Sequence, residues 1–457
     1  MKDFNIILIV ILIFLCFSTG CKKQDDFLNA KPNDALIVPT KLVDFELLLN
    51  NEDYFNTTYP NLGYIAGEEF TTLDDNLDGD LAVSRNSYLW AKNIYNMPND
   101  DAWSLNYIRI YYSNVVLDGL KNLSTSDKNK YNRIKGSALF FRALAFYQLM
   151  ELFSNPYNPN TSNPLGIPIR LNSDLNIKST RSTQDDCINQ IKKDLAEAIN
   201  LLGDQKMSFP TQPSSAAAYG LLARTNLIMS NFTEAIVNSS KCIELSNGLM
   251  NYNHLVSPMY TFTDQTTGYL PENLFHATIQ PSYITGLTRA IVNQELYDLY
   301  DNDDLRKTMF FVHYNGGFRF KGQYDLKNNG TYCGIALDEI YLIRAEAFAR
   351  VGRKDDAIKD LNDLLINRYK TGEFLPKIAA NDDEALRLIL LERRKELCFR
   401  GIRWSDLRRL NSDPRFATTL TRTYRGQNYI LSANDRRYTF PIPDQEIQLS
   451  GIQQNER

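Results

Sequence analysis

Two segments of this chain repeat one helical design, and that repeat limits the folds open to it more than any other feature. In LLARTNLIMSNFTEAIVNSSKCIEL, Ala223 is followed 12 residues later by Ala235. In YLIRAEAFARVGRKDDAIKDLNDLL, Ala345 is followed 12 residues later by Ala357. Each segment sets a small residue on one helix, a short polar turn, and a small residue on the next helix. Small side chains at those places let two antiparallel helices approach closely. Residues 137–153, SALFFRALAFYQLMELF, are apolar on most faces and read as a helix buried among helices. Asp185 to Leu202 is a cleaner amphipathic helix, with Cys187, Ile188, Ile191, Leu195, Ala198 and Ile199 on one stripe and Gly203 as its C-cap. Ser214 and Ser215 can N-cap a helix over Ala216–Met229, after the break at Pro213.

Units of about 34 residues that pack in this way follow the logic of tetratricopeptide repeats. The expected fold is therefore mostly α, a tetratricopeptide-like helical-repeat scaffold over approximately 35–247 and 334–410. Residues 131–153 with 185–202, and one helix over 384–410, extend the set. Between the two blocks, residues 248–333 are rich in Tyr, Asn, Gly, Thr and Pro and form a long irregular insertion. The stretch 50–100 is similarly irregular. Met309–Tyr314, then Asn315-Gly316-Gly317, then Phe318–Lys321 predicts a small β-hairpin with a glycine-containing turn. Residues 411–457 form a closing segment. A loop region as long as 248–333 in a compact domain is usually functional.

Residues 1–20 stand outside that fold. Lys2 precedes an uncharged apolar run, Ile6 to Phe17, which is too short to span a bilayer needing ~20 residues but suits a signal-peptide h-region. Ser18-Thr19-Gly20 before Cys21 resembles a bacterial lipobox, although Ser18 stands where Leu is usual and Asp3 weakens the positive n-region. This predicts a lipoprotein signal peptide over 1–20, a lipid anchor on Cys21 and a single domain over 21–457. An ordinary secretory signal ahead of an unmodified Cys is the alternative. Lys22 to Asp26 is a polar tether between lipid and domain.

Catalytic signals are mostly missing. The three histidines, His254, His276 and His313, form no HExxH or close ligand spacing. No GxSxG elbow, Walker A loop or GxGxxG appears. Cys187, Cys242, Cys333 and Cys398 are widely spaced, with no CxxC pair, so a zinc cluster is not expected and their disulfide state stays open. The sequence calls for no cofactor and no metal site. Glu68-Glu69 and Asp74-Asp75 are paired carboxylates; they suit a glycosidase acid/base pair or a Ca²⁺ site, but such pairs are more often solvated. A formal net charge of −4 excludes a broad basic field for nucleic acid.

The tyrosines are the remaining chemical signal. Of 26 in the chain, 17 fall within residues 54–112 and 252–332, largely the irregular stretches. An exposed aromatic ring can stack on the C–H face of a pyranose while nearby amides bond its hydroxyls. Exposed rings suit protein interfaces equally well. For any single tyrosine, packing against the scaffold is the commoner fate.

Near the C-terminus, ERRKELCFRGIRWSDLRR (392–409) sets Glu392 with Lys395, Arg403 with Asp406, and Asp406 with Arg409 at i,i+3 spacing. Leu391, Trp404 and Leu407 are its apolar contacts, and it reads as a salt-bridged helix that closes the repeat array. The same stretch resembles the C-terminal signature of the SusD/RagB family of surface lipoproteins. Cys21 with Phe27-Leu28 and Pro32 matches the family's lipidated start. Asp101-Ala102-Trp103 with Tyr107, Ile110 and Asn114 resembles its early helix. Arg142-Ala143 through Phe146-Tyr147, then Gly166-Ile167-Pro168-Ile169, resemble its first repeat. Phe440 to Pro443, Glu446-Ile447 and Gln454-Asn455 resemble its ending. Cys398 and Arg400 are mild departures within the signature.

The resemblance implies a non-enzymatic, nutrient-binding lipoprotein on the outer face of the outer membrane, capping a TonB-dependent SusC-like porin. It implies capture of oligosaccharides, or of peptides in the RagB branch, for delivery to that transporter. A porin-capping scaffold with no ligand site of its own is a further alternative. Family aromatic contacts lie roughly where Trp90 and residues 252–320 lie here. The candidate ligand residues are therefore Trp90, Tyr64, Tyr88, Asn93, Tyr269, Tyr283 and Tyr314, with Trp90 equally suited to a core anchor or a stacking platform.

Overall fold

Local capping chemistry sets where the long helices begin. The computed structural model describes residues 39–457, apart from 97–100, 163, 205–206, 256–268, 287 and 326–329. The signal segment, Cys21 and the tether lie outside these described residues. The principal helices are Leu42–Leu49 (α1), Asp101–Lys121 (α2), Lys128–Phe153 (α3), Gln184–Leu202 (α4), Ser215–Ile228 (α5), Phe232–Glu244 (α6), Leu337–Arg350 (α7), Lys354–Leu365 (α8), Asp382–Glu396 (α9) and Arg403–Leu410 (α10). Side-chain oxygens of Asp127, Thr183, Ser214 and Asn381 accept the free backbone N–H groups that open α3, α4, α5 and α9. Gly203, at φ +58°, closes α4 through its N–H to Ile199 O at 3.0 Å.

Packing follows chain order: α2 on α3, α3 on α4, α4 on α5, α5 on α6, α6 on α7, and α7 on both α8 and α9. Ala223, Ala235, Ala345 and Ala357 are all fully buried, which is the close approach the repeat predicts. From Ser137 to Phe153 every residue of α3 is buried except Gln148 and Glu151, as its all-round apolar character requires. Ion pairs clamp the seams between neighbours. Arg142 on α3 meets Asp194 on α4 at 2.7 Å, and Arg344 on α7 meets Asp360 on α8 at 2.7 Å. The result is a mostly α, tetratricopeptide-like scaffold within one compact unit, Leu42–Arg457.

The C-terminal signature departs from the single helix expected over 384–410. The chain breaks at 397–402, where Phe399 and Gly401 take φ of +58° and +71°. Gly401 is needed for contact as well as conformation, since a Cβ there would sit 2.8 Å from Ile279 Cδ1. The Glu392–Lys395 and Asp406–Arg409 pairs form at 3.0 and 2.8 Å. Arg403 instead pairs with Glu68 at 2.5 Å, because the break turns it toward the N-terminal region. Leu391 is 42% exposed and gives no core contact, whereas Trp404 and Leu407 are buried.

The two irregular stretches are stitched together rather than left as separate loops. Phe70–Thr71 pairs with Ile291–Val292, and Thr278–Ile279 pairs with Thr331–Tyr332. Asn273–Phe275 pairs with Ile335–Ala336 at the start of α7. Short helices Glu52–Phe55, Leu62–Ala66, Asp74–Asp78 and Ala82–Tyr88 fill much of residues 50–100. The hairpin forms over Phe311–Tyr314 and Gly317–Phe320, with Asn315 and Gly316 alone as the turn, both at positive φ. Met309 and Phe310 belong to the preceding short helix, Arg306–Phe310.

Under this stitched region lies a second, aromatic core that includes Tyr64, Phe70, Tyr88, Tyr252, Tyr324 and Phe399. Beside it is a buried charge network fed by the signature. Arg306 reaches Asp304, Glu392 and Glu396 at 2.6–2.8 Å, and Arg368 reaches Glu396 and Glu272 at 2.7 and 2.9 Å. Lys395 lies 2.9 Å from Asp304, and Arg400 lies 2.5 Å from Asp338. These are four cations against five carboxylates, and burial, with Glu272 nearby, pushes Asp338 up to about 7. The four cysteines are free thiols, with Cys187, Cys242 and Cys398 buried. No helix among the described residues is long and apolar enough to cross a membrane.

Candidate functional site

The segment between Ile279 and Ile291 builds an exposed ridge from consecutive turns. Ile284 is fully buried and anchors it, while Tyr283 before it is exposed and Thr285 after it is half-buried. Asp80 pins the ridge from across the fold, its Oδ2 accepting the Ile284 N–H at 3.1 Å. Thr285 Oγ1 in turn accepts the Ser282 N–H at 3.0 Å, and the Arg289 N–H closes on Gly286 O at 2.8 Å. The ridge is therefore a series of hydrogen-bonded turns with a buried root.

Tyr283 stands on this ridge, 43% exposed, with the Arg289 guanidinium carbon 3.5 Å from its ring centre. A cleft opens on each side, and Pro281 lines both. One holds about 450 Å³ and is lined by Tyr59, Asn61, Asp80, Asp101, Gln280 and Tyr283, among others. In it Gln280 Oε1 is a buried acceptor without a hydrogen-bond partner among the described residues. The other holds about 480 Å³ and is lined by Tyr64, Thr285, Arg289, Gln323, Thr331 and Phe399, among others. Tyr283 is the one exposed ring on these walls, beside short polar side chains that can bond sugar hydroxyls.

A third cleft, of about 510 Å³, runs along α2 past Trp103, Tyr107, Leu175 and Leu449. Two of its polar side chains are occupied within the protein: Asn114 Nδ2 donates to Arg170 O and Asn172 O, and Arg170 donates to Ile177 O and Ser179 Oγ. Tyr111, Gln445 and Glu446 also line it, and none of the seven residues singled out in the sequence does.

The structure separates the seven residues singled out in the sequence. Trp90 is 2% exposed and takes φ +52°; its Nε1 donates to Ala66 O at 2.9 Å, and Arg422 lies 4.5 Å from its ring. Of its two roles, this is the core anchor and not the stacking platform. Tyr88 is buried beside it, with Arg422 at 3.6 Å from its ring. Tyr64 is buried too, although its ring edge reaches the floor of the second cleft. Asn93 is exposed, but its Oδ1 accepts the Tyr95 N–H at 3.2 Å, and it lines neither cleft. Tyr269 is half-buried, edge-on to His276 at 5.2 Å. Tyr314, at the hairpin tip, is exposed beside Arg319 and also lines neither cleft. Tyr283 alone of the seven is both exposed and on a cleft wall. Arg289, Gln280 and Asp80 were missed, since no period or motif marks a loop side chain as outward-facing.

The paired carboxylates have structural work. Glu68 is held by Arg403 and, at 3.7 Å, by Arg394, and these cations keep its carboxyl below the usual range despite burial. Glu69 is 5% exposed and accepts the Phe399 N–H at 2.8 Å; burial pushes it up to about 8. Asp74 accepts the Arg425 N–H at 2.9 Å, and Asp75 pairs with the Arg425 guanidinium at 2.9 Å. None of the four converges on a cleft as an acid/base pair. Among the described residues no cluster of three His, Cys, Asp or Glu is placed to hold a metal ion.

A helical-repeat scaffold thus carries a ridge with one exposed ring beside two clefts, an arrangement suited to binding. Two family models match the sequence: "Starch-binding associating with outer membrane", SusD-like, over residues 26–227, and "SusD family" over residues 300–457. No curated protein sequence matches. Solved structures share the fold along the whole domain. A SusD superfamily protein from Bacteroides thetaiotaomicron is 23% identical with a TM-score of 0.72, covering 91% of this chain and 100% of its own. One from Bacteroides fragilis is 20% identical with a TM-score of 0.74, covering 91% and 99%. A SusD-like carbohydrate binding protein from Bacteroides vulgatus is 21% identical with a TM-score of 0.69, covering 90% and 97%. The chain belongs to the SusD/RagB family, whose members are binding proteins and not enzymes.

Proposed function

We propose that this protein captures oligosaccharides at the outer surface of the outer membrane, anchored by a lipid on Cys21, and delivers them to a SusC-like TonB-dependent transporter. The observation that carries the reading is Tyr283, an exposed ring on a pinned ridge with a polar cleft on each side. The family's starch-binding description and the carbohydrate-binding neighbour support a sugar over other ligands. Capture needs no catalysis, which agrees with carboxylates committed to ion pairs.

The test is calorimetry of residues 22–457 against a panel of oligosaccharides, with Tyr283→Ala beside the native chain. A bound glycan weakened by about 1–3 kcal/mol in the variant, a stacking increment, supports the reading. Peptides binding where every oligosaccharide fails would replace it with the RagB-like peptide reading. Binding of neither, with co-purification of a large β-barrel, would favour the capping scaffold. Cys21→Ser is expected to move the protein from the membrane fraction to the soluble one.

A further inference from the structure

The two clefts beside Tyr283 differ in charge. The first is lined by the carboxylates Asp80 and Asp101. Both Asp80 oxygens are engaged, accepting the Leu81 and Ile284 N–H groups at 2.7 and 3.1 Å. Asp101 accepts from Gln280 Nε2 at 3.4 Å. The second cleft has one charged side chain among its described lining residues, Arg289, and the rest of its polar wall is neutral: Thr285, Thr288, Gln323 and Thr331.

Arg289 is unlike the other arginines around it. Arg403, Arg400, Arg422 and Arg306 are all occupied, by Glu68, by Asp338, by backbone carbonyls and by three carboxylates respectively. The Arg289 side chain makes no hydrogen bond or ion pair among the described residues; its contact is the Tyr283 ring at 3.5 Å. That contact holds the guanidinium in place and leaves its in-plane N–H donors free. A guanidinium presents paired donors that match a carboxylate or sulfate bidentately, which hydroxyls do not. The half-buried position beside a neutral wall screens such a pair less than bulk water does.

We infer that the cleft lined by Arg289 takes an anionic glycan, its carboxylate or sulfate on the Arg289 guanidinium and a neighbouring sugar unit across the ridge against Tyr283, which lines the first cleft. This rests on the Tyr283 ridge being the glycan site. Tyr283 would contribute to any sugar, whereas Arg289 would select the charged one.

Two probe pairs separate the sources of charge. One is an oligogalacturonide and its carboxyl-reduced product; the other is a sulfated galactan oligosaccharide and its desulfated product. Calorimetry of residues 22–457 is expected to show one anionic member bound at least 10-fold more tightly than its neutral partner, with a preference that shrinks as salt rises. Arg289→Gln should abolish that preference, while Arg289→Lys restores it only in part. Circular dichroism should match the native chain, since the side chain forms no ion pair. Neutral members bound as tightly as anionic ones, with Arg289→Gln lowering both alike, would overturn the inference and leave the glycan reading standing. Failure of all four probes, with peptides bound, would overturn both.

Discussion

Around Ala357 the repeat helices meet through methyl groups and leucines: Ala357, Leu361, Leu364 and Leu365 are fully buried against Ala345 and Leu342 of α7. A short way along the chain, Arg368 is equally buried, yet it meets Glu272, Glu396 and the carbonyl of Met250. The first contact is apolar, local and periodic. The second joins Arg368 to residues 28 to 118 positions away and has no period. Small-residue packing tolerates variation in detail because it depends on volume, while a buried ion network fails if one member is lost. The buried network thus ties Glu272, Asp304 and Arg306 of the irregular region to the scaffold through long-range charge.

The sharpest way to break this contrast is to remove one buried cation. Arg368→Met leaves Glu272 and Glu396 facing each other without it, and should lower unfolding stability by about 3–5 kcal/mol in urea titrations. A loss below 1 kcal/mol would show the network to be dispensable.

Next in size is a pH effect in the N-terminal irregular stretch. Glu69 is raised by burial to about 8, so the folded state holds its proton more tightly than the unfolded chain does. Its stabilising contribution is full below the unfolded carboxylate range and is lost as pH rises through about 8. The native protein should therefore lose up to about 1.4 kcal/mol per pH unit between roughly pH 5 and 8 relative to Glu69→Gln. Parallel stability curves for the two proteins would refute the assignment.

On the scaffold side, Ala357→Leu overfills the α7–α8 seam and should cost about 1–3 kcal/mol, with no pH dependence of its own. If the cost tracked pH as at Glu69, the two regions would not be chemically distinct. Smallest of all is Tyr283→Ala, expected to leave stability within about 0.5 kcal/mol, as for an exposed site. A larger loss of stability would make any accompanying loss of glycan affinity uninformative about the ridge.

Those four positions also mark how far the sequence could be read. The Ala–Ala spacing, the α4 stripe and the Ser214 cap are local rules that appear in the structure as the sequence implied, and the expected hairpin forms with a turn one residue shorter, Asn315-Gly316. The C-terminal signature was legible as a salt-bridged closing element. Its bend was not, because the partners that meet it are distant: Glu69 accepts the Phe399 N–H, and Ile279 leaves no room for a Cβ at Gly401. Among the tyrosines, proximity in sequence proved a poor guide. Tyr59, Tyr64, Tyr88 and Tyr95 in the first stretch are buried, as are Tyr252, Tyr300, Tyr324 and Tyr332 in the second.

What the sequence determined by itself is what repeats at short range: helices, their small-residue seams, the hairpin and the family signature, because each depends on residues a few positions apart. Tertiary structure decided which rings face outward and which charges stay unpaired. Tyr283 and Arg289 owe their exposure to a buried Ile284, to Asp80 some two hundred positions away and to strand pairs between distant segments. In a segment with no period, a side chain's direction is set by whatever the rest of the fold packs against its neighbours, and that information is not local to the chain.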